Sequence, residues 1–109
     1  MQRAGVAENK IFQALADPSR RAIFESLTRG EAAVKDLTAR FDISQPAVSQ
    51  HLATLRSAGL VSERREARLV YYRVEPNGLR PLIDWIAHYQ ALWLERLDRL
   101  QALLKEMDQ

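Results

Sequence analysis

Apolar residues recur at helical spacing through the first half of the chain, which predicts a set of short amphipathic helices. These helices cover residues 7–16, 18–27, 34–41 and 45–58. Asp17 and Ser44 are favourable N-cap residues, and each precedes a proline that falls in the first turn of the following helix. Gly30 and Gly59 stand where the second and fourth helices are expected to end.

Beyond Gly59 the apolar pattern changes from helical spacing to alternation. Two short strands are predicted at 60–65 and 68–74, joined near Glu66-Ala67, and a long helix follows from about residue 79 or 82 to residue 107. A closely connected helix pair followed directly by a two-stranded ribbon is typical of a winged helix-turn-helix. We therefore expect a mainly α fold with a two-stranded β-wing. It forms one domain over residues 1–109, with its core in 7–75.

Composition narrows the class of protein. The chain has 109 residues, of which 47% are hydrophobic and 28% charged, as in an ordinary globular domain. It contains no cysteine, which excludes disulfides and thiolate metal ligands. No apolar run is long enough to span a bilayer, and the first residues lack the apolar stretch of a signal peptide. A soluble, cytoplasmic protein is expected.

Charge is distributed unevenly along the chain. Residues 1–74 carry 12 Lys/Arg against 8 Asp/Glu, which gives +4, whereas residues 75–109 carry 4 against 6, which gives −2. The larger N-terminal part is therefore basic and the remainder mildly acidic. This asymmetry fits a body that binds a polyanion and a separate end that does not.

The segment 45–58 has an unusual exposed face for a surface helix. Val48, Leu52 and Leu55 form its apolar stripe, and the opposite face carries amides, hydroxyls and small residues instead of many charges. Glutamine can bond adenine through two hydrogen bonds, and serine can bond several bases. The start of such a helix normally points at the bases. We therefore predict base contacts from Gln45, Ser49 and Gln50; a plain solvated face is the alternative.

Basic residues flank this predicted reading helix. Arg56 lies on its side and is included among the predicted DNA contacts. Arg64, Arg65 and Arg68 cluster around the hairpin, where they suit phosphate contact or entry into a minor groove. A charged hairpin that only resists aggregation is the alternative. Lys35 on the third helix is a further candidate for a backbone contact.

Four segments of the chain are similar to the ArsR-type winged-helix repressors. They are ADPSRRAI (16–23), ISQPAVSQHL (43–52), LRSAGLV (55–61) and VYYRV (70–74), and the similarity extends over about residues 9–75. The resemblance implies a homodimer that binds double-stranded DNA at an operator overlapping its own promoter and is released by an effector. It also implies that Gln45, Ser49, Gln50 and His51 occupy recognition-helix positions and that Arg64, Arg65 and Arg68 belong to the wing.

His51 lies beside the apolar stripe of the reading helix. We expect it to be half-buried and bonded locally or to a phosphate.

The chain departs from the metal-sensing members of that family. Those members carry a cysteine pair just before Asp-Leu on the third helix, whereas the corresponding stretch of this chain is AAVKDL, residues 32–37, without thiols. Asp84 and His88 share a face of the last helix, but no second histidine follows, and zinc prefers about four ligands. We predict no metal site and no cofactor. The wing also lacks the usual glycine at its tip, where Ala67 stands.

The last helix carries two apolar stripes, more than a chain of this size readily covers. The predicted dimer contacts are Leu82, Trp85, Ile86, Tyr89, Trp93, Leu97, Leu100 and Leu104. The excess apolar surface favours pairing with the same helix of a second chain; burial against the chain's own core is the alternative. Trp85, Tyr89 and Trp93 are also candidates to line a small effector pocket.

The remaining function classes are weakly supported. No nucleophile–base arrangement, phosphate-binding glycine loop or clustered carboxylate pair is present, so an enzyme is not expected. The alternative to a DNA-binding regulator is a winged-helix module that binds another protein. Such a module would tolerate acidic replacements on the exposed face of residues 45–50, whereas a DNA-binding helix would not.

Overall fold

The computed structural model describes residues 5–108. These residues form two compact units, a body that ends at Leu79 and a single helix that begins at Arg80. The body contains α1 (Val6–Ala16), α2 (Pro18–Leu27), β1 (Ala32–Ala33), α3 (Val34–Phe41), α4 (Gln45–Ser57), β2 (Val61–Glu66) and β3 (Leu69–Val74). The second unit is α5 (Arg80–Met107). The mainly helical fold with a β-wing and a long last helix is the one predicted.

The break between α1 and α2 is built by local hydrogen bonds. The carboxylate of Asp17 accepts a bond from the backbone N–H of Arg20 at 2.8 Å, and Pro18 takes the first helical position. The guanidinium of Arg20 turns back and donates to the carbonyl of Ala14 at 2.6 Å. It thus satisfies the C-terminal end of α1, where a positive charge also interacts favourably with the helix dipole. The predicted cap at Asp17 is confirmed.

The connection between α3 and α4 makes the tight turn of the helix-turn-helix. Asp42 has a left-handed backbone with φ of 52°, which aspartate tolerates better than most residues, and its N–H donates to the carbonyl of Thr38 at 3.1 Å. The hydroxyl of Ser44 then accepts from the N–H of Ala47 at 3.2 Å and caps α4. The predicted bounds of α3 and the predicted cap at Ser44 are confirmed.

The hydrophobic core of the body surrounds α4, which contacts α1, α2, α3 and β2. Its apolar stripe, Val48, Leu52 and Leu55, has no exposed surface. The other large buried apolar residues of the body are Ile11, Ile23, Phe24, Leu27, Leu37, Leu60, Val61 and Tyr72. Because the apolar stripe of α4 is buried in the core, the polar residues on the opposite face of α4 are directed towards the surface.

The hairpin of β2 and β3 is part of a three-stranded antiparallel sheet in the order β1-β3-β2. Ala32 and Glu63 flank Tyr72 of the middle strand in register. The extra strand β1 was not predicted, because two alanines offer no alternation of apolar and polar positions. Its pairing fixes the wing against the segment that leads into α3.

The tip of the wing consists of Ala67 and Arg68, since Glu66 and Leu69 are the last paired residues. The predicted joint at Glu66-Ala67 therefore lies one residue too early. Ala67 has φ of 56°, a left-handed conformation that favours glycine. The wing thus keeps a tight two-residue turn although it lacks the glycine.

The helix α5 runs for 28 residues, and none of them is buried. Its apolar residues remain substantially exposed: Trp85 at 40%, Tyr89 at 40%, Trp93 at 58% and Leu97 at 49%. The rings of Trp85 and Tyr89 lie 4.9 Å apart. None of the helices within residues 5–108 is both long enough and apolar enough to cross a membrane.

Candidate nucleic-acid interface

A cleft with a volume of about 290 Å³ separates the beginnings of α3 and α4 from the wing. Six polar side chains line it: Lys35, Gln45, Ser49, Glu63, Arg65 and Arg68. Tyr72 and Val70 contribute to its floor on the sheet side. The cleft therefore places three cations next to an amide and a hydroxyl of the predicted reading helix.

The α4 residues predicted to contact bases are exposed. Gln45 and Ser49 lie one turn apart and line the cleft, and Gln50 is exposed at the next position. Pro46 is accommodated at the start of the helix, where no backbone hydrogen bond is lost. Hydrogen-bonding groups at the N-terminal end of a helix beside a positively charged cleft are the arrangement that groove reading requires.

His51 belongs to a different side of α4. It is half-buried, and its Nδ1 lies 3.5 Å from Nη1 of Arg20. The expected half-burial of His51 is confirmed, although its partner Arg20 belongs to another helix, and Gln50 rather than His51 presents an exposed side chain at this part of α4.

Arg56 is engaged in an ion pair with the wing. Its Nη1 lies 2.8 Å from Oε1 of Glu63, while Oε2 of the same carboxylate accepts from the hydroxyl of Tyr72 at 3.0 Å. The hydrogen bond from Tyr72 is the main cause of a lowered pKa for Glu63, with Arg56 and Arg65 adding to it against some desolvation. Glu63 is therefore held as a carboxylate between α4 and β3.

Arg64 lies on the opposite face of the wing from Arg65. Its guanidinium pairs with Glu31 at 2.6 Å and with Glu66, and it stacks over the ring of Tyr71 at 4.6 Å. The bond from Arg64 lowers the pKa of Glu31, and these two carboxylates raise the pKa of Arg64. Side chains alternate across a strand, so neighbouring arginines 64 and 65 must point to different faces. The structure brings Arg65 and Arg68 into the cleft and leaves Arg64 outside it.

Two residues that line the cleft are not among the DNA contacts predicted from the sequence. Lys35 had been only a further candidate for a backbone contact, and the structure places it in the cleft with Arg65 and Arg68. Glu63 was not predicted at all, since an acid in a basic hairpin gives no signal in the sequence. Its pairing depends on Arg56 and Tyr72, which lie seven and nine residues away along the chain, in α4 and β3.

The described residues contain no group of three His, Cys, Asp or Glu side chains placed to share a metal ion. Asp84 and His88 remain one turn apart on α5, and the ring of His88 contacts that of Tyr89 edge to face at 4.8 Å.

Comparison with known proteins identifies the family. Residues 17–63, from the cap of α2 into the wing, match the family model described as bacterial regulatory protein, arsR family. The chain is 33% identical over 81 residues to the transcriptional repressor SdpR of Bacillus subtilis, covering 74% of this chain and 90% of SdpR. The chain belongs to the ArsR family.

A further relative and a solved structure agree with this assignment. The HTH-type transcriptional regulator Rv2034 of Mycobacterium tuberculosis is 45% identical over 74 residues, which cover 68% of this chain and 69% of that protein. The solved structure of an ArsR-like transcriptional regulator from Rhodococcus sp. RHA1 superposes with a TM-score of 0.75 at 27% identity, covering 89% of this chain and 92% of that one.

Membership of the ArsR family settles the class of function. The chain is a DNA-binding transcriptional regulator and not an enzyme, because the ArsR family consists of such regulators. ArsR-family regulators bind double-stranded DNA, and the cleft beside α4 is where this chain concentrates the chemistry suited to it. The absence of cysteine from the whole chain fits the branch of the ArsR family without the thiolate metal site.

Proposed function

We propose that the chain is a cytoplasmic, dimeric repressor that reads a two-fold symmetric operator through α4 and the wing. The observation that carries the proposal is the cleft, in which Gln45 and Ser49 of α4 stand beside three cations. SdpR, a relative covered over most of its length, is named a transcriptional repressor.

Base reading is assigned to the start of α4. We propose that Gln45, Ser49 and Gln50 enter the major groove and bond to base edges. A glutamine that bonds one adenine through two hydrogen bonds contributes about 1–3 kcal/mol of discrimination against other bases. The sequence preference of the protein would therefore depend mainly on these three side chains.

Backbone binding is assigned to the cations that line the cleft, Lys35, Arg65 and Arg68. Each phosphate that a cation neutralises contributes about −0.9 to the slope of log K against log salt. Three contacts per protomer therefore predict a slope of roughly −5 for a bound dimer. Arg56 and Arg64 are left out of this set, because each is already paired with glutamate.

Dimer formation is assigned to α5. Its eight predicted contact residues form two adjacent stripes, and none of them is buried. Burying a large apolar side chain is worth about 1.5–3 kcal/mol, so a second copy of α5 would provide a strong driving force. A two-fold dimer then presents two copies of α4 to half-sites about 34 Å apart.

We further propose that an effector relieves repression. A small molecule that changes the separation of the two reading helices would weaken operator binding, because both helices must fit successive turns of the same duplex. The contacting rings of Trp85 and Tyr89, together with Trp93, are candidates to line its pocket.

The proposal is tested by selecting duplexes that bind the protein from a random pool and titrating the selected operator at several salt concentrations. Gln50→Ala is expected to lower the preference for the operator and leave the salt slope unchanged. Arg68→Ala is expected to weaken binding to every duplex and reduce the slope by about 0.9 per protomer. Arg29→Ala removes an equal charge outside the cleft and serves as the control. Failure to select any preferred duplex, or binding that does not depend on salt, would overturn the proposal.

A further inference from the structure

A carboxylate stands in the middle of the proposed DNA interface. Glu63 lines the cleft and is the one acidic side chain among the residues that do so. A negative charge at this place opposes the phosphates that Arg65 and Arg68 would bind. The Glu63 carboxylate therefore does not contribute to DNA affinity, and another role must explain its position in the cleft.

Glu63 connects the reading helix to the wing. One carboxylate oxygen pairs with Arg56 in the last turn of α4 at 2.8 Å, and the other accepts from Tyr72 of β3 at 3.0 Å. Tyr72 is only 7% exposed and belongs to the core, so the carboxylate is anchored to a rigid point. The bridge ties the C-terminal end of α4 to the sheet.

Arg56 lies on the same side of α4 as the cleft residues. Gln45, Ser49 and Arg56 are spaced by four and seven residues, which places them in one stripe along the helix. An unpaired arginine in that stripe would be free to reach a phosphate of any duplex. In this structure the Arg56 guanidinium is instead paired with the wing.

We infer that Glu63 is a positioning residue that determines specificity. Its carboxylate fixes the spacing between α4 and the wing, and it withholds Arg56 from sequence-independent phosphate contacts. The inference rests on the proposed function, since it assumes that α4 and the wing face the duplex. A fixed spacing accepts one docking geometry in the groove, whereas phosphate contacts stabilise any duplex to a similar extent.

The bridge contributes little to folding. The side chains of Arg56 and Glu63 are 50% and 29% exposed, and exposed ion pairs stabilise proteins only weakly. The isosteric change Glu63→Gln also keeps an oxygen that can accept from Tyr72. The variant is therefore expected to fold, and its effect should appear in DNA binding.

The test compares Glu63→Gln with the wild type on the selected operator and on a scrambled duplex, across a series of salt concentrations. The variant is expected to bind the scrambled duplex roughly five- to tenfold more tightly for each protomer at about 0.1 M salt, because one more phosphate is neutralised by each protomer. The salt slope is expected to steepen by about 0.9 per protomer. The ratio of operator affinity to scrambled affinity should fall.

Two controls separate this inference from a general charge effect. Glu66→Gln removes the same charge from the wing, leaves the Arg56–Glu63–Tyr72 bridge intact and leaves Arg64 paired with Glu31, so it should not change the salt slope. The double variant Glu63→Gln/Arg56→Gln should return the slope to the wild-type value, because the released arginine is absent. A steeper slope in Glu66→Gln, or no recovery in the double variant, would overturn the inference.

Arg56→Gln alone gives an independent test if Glu63→Gln fails to fold. The wild-type and Arg56→Gln slopes should agree, since the paired arginine makes no phosphate contact; a slope reduced by about 0.9 per protomer would contradict the inference. Failure of the proposed function looks different, because the wild type itself would then prefer no duplex.

Discussion

The body and α5 differ in how far their leucine side chains are exposed. Leu52 and Leu55 of the body have no exposed surface, whereas Leu97 and Leu100 of α5 are 49% and 51% exposed. The body thus forms a complete hydrophobic core within one chain. The apolar surface of α5 is left for another surface to cover, which we assign to a second copy. The proposed function therefore assigns reading and pairing to separate units of the chain.

The largest expected effect of a single substitution is in the core of the body. Leu52→Ala removes a fully buried side chain from the inward face of α4 and is expected to lower the free energy of unfolding by about 2–5 kcal/mol. Urea denaturation followed by circular dichroism measures it. A loss below about 1 kcal/mol would show that the body does not depend on the core described here.

A carboxylate introduced on α5 is expected to weaken dimer formation and not the folding of the body. Leu100→Glu places a carboxylate in the proposed interface, so the dimer dissociation constant is expected to rise at least about tenfold, or about 1.4 kcal/mol. Ala102→Glu introduces the same charge outside both proposed stripes and should leave it unchanged. Sedimentation equilibrium measures the dimer dissociation constants of both variants. Equal constants would contradict the assignment of pairing to the apolar stripes of α5.

The wing offers a stabilising change. Ala67 holds a left-handed backbone with φ of 56°, so Ala67→Gly is expected to raise the free energy of unfolding by about 0.5–1 kcal/mol. Ala67→Val should lower it, because a β-branched side chain fits this conformation poorly. Thermal unfolding of both variants tests the turn. A glycine variant less stable than the wild type would be inconsistent with the turn observed.

The smallest effect concerns pH and the cap of α2. The backbone N–H of Arg20 donates to Asp17 and lowers the pKa of that carboxyl below its ordinary value of 3.8. Because the folded pKa is the lower one, the contribution of Asp17 is present at neutral pH and is lost as the pH falls through the folded value. Asp17→Asn keeps an acceptor but does not titrate. Its melting temperature should decline less steeply than that of the wild type below about pH 4; superimposable profiles would contradict this.

Much of the body could be predicted from local chemistry. Asp17 before Pro18 and Ser44 before α4 mark helix starts through hydrogen bonds that involve only neighbouring residues. The buried stripe of α4 follows from its 3.6-residue periodicity, which also exposed Gln45 and Ser49. Features that depend only on neighbouring residues could therefore be predicted from the sequence.

The rest depends on contacts between residues that lie in different elements of the fold. The strand β1 forms because Ala32 and Ala33 pair with β3, and two alanines carry no strand signal of their own. Arg64 was grouped with Arg65 by proximity, but the strand alternation and Glu31 place it on the other face. The role of Glu63 becomes visible only when Arg56 and Tyr72 are seen around it.

The most direct measurement is a footprint of the full chain on a selected duplex, combined with the stoichiometry of the complex. Two protomers that protect two half-sites one helical turn apart, about 34 Å, are the predicted result. A single protomer bound at one site, with affinity unaffected by Leu100→Glu, would contradict the division of the chain into a reading body and a pairing helix.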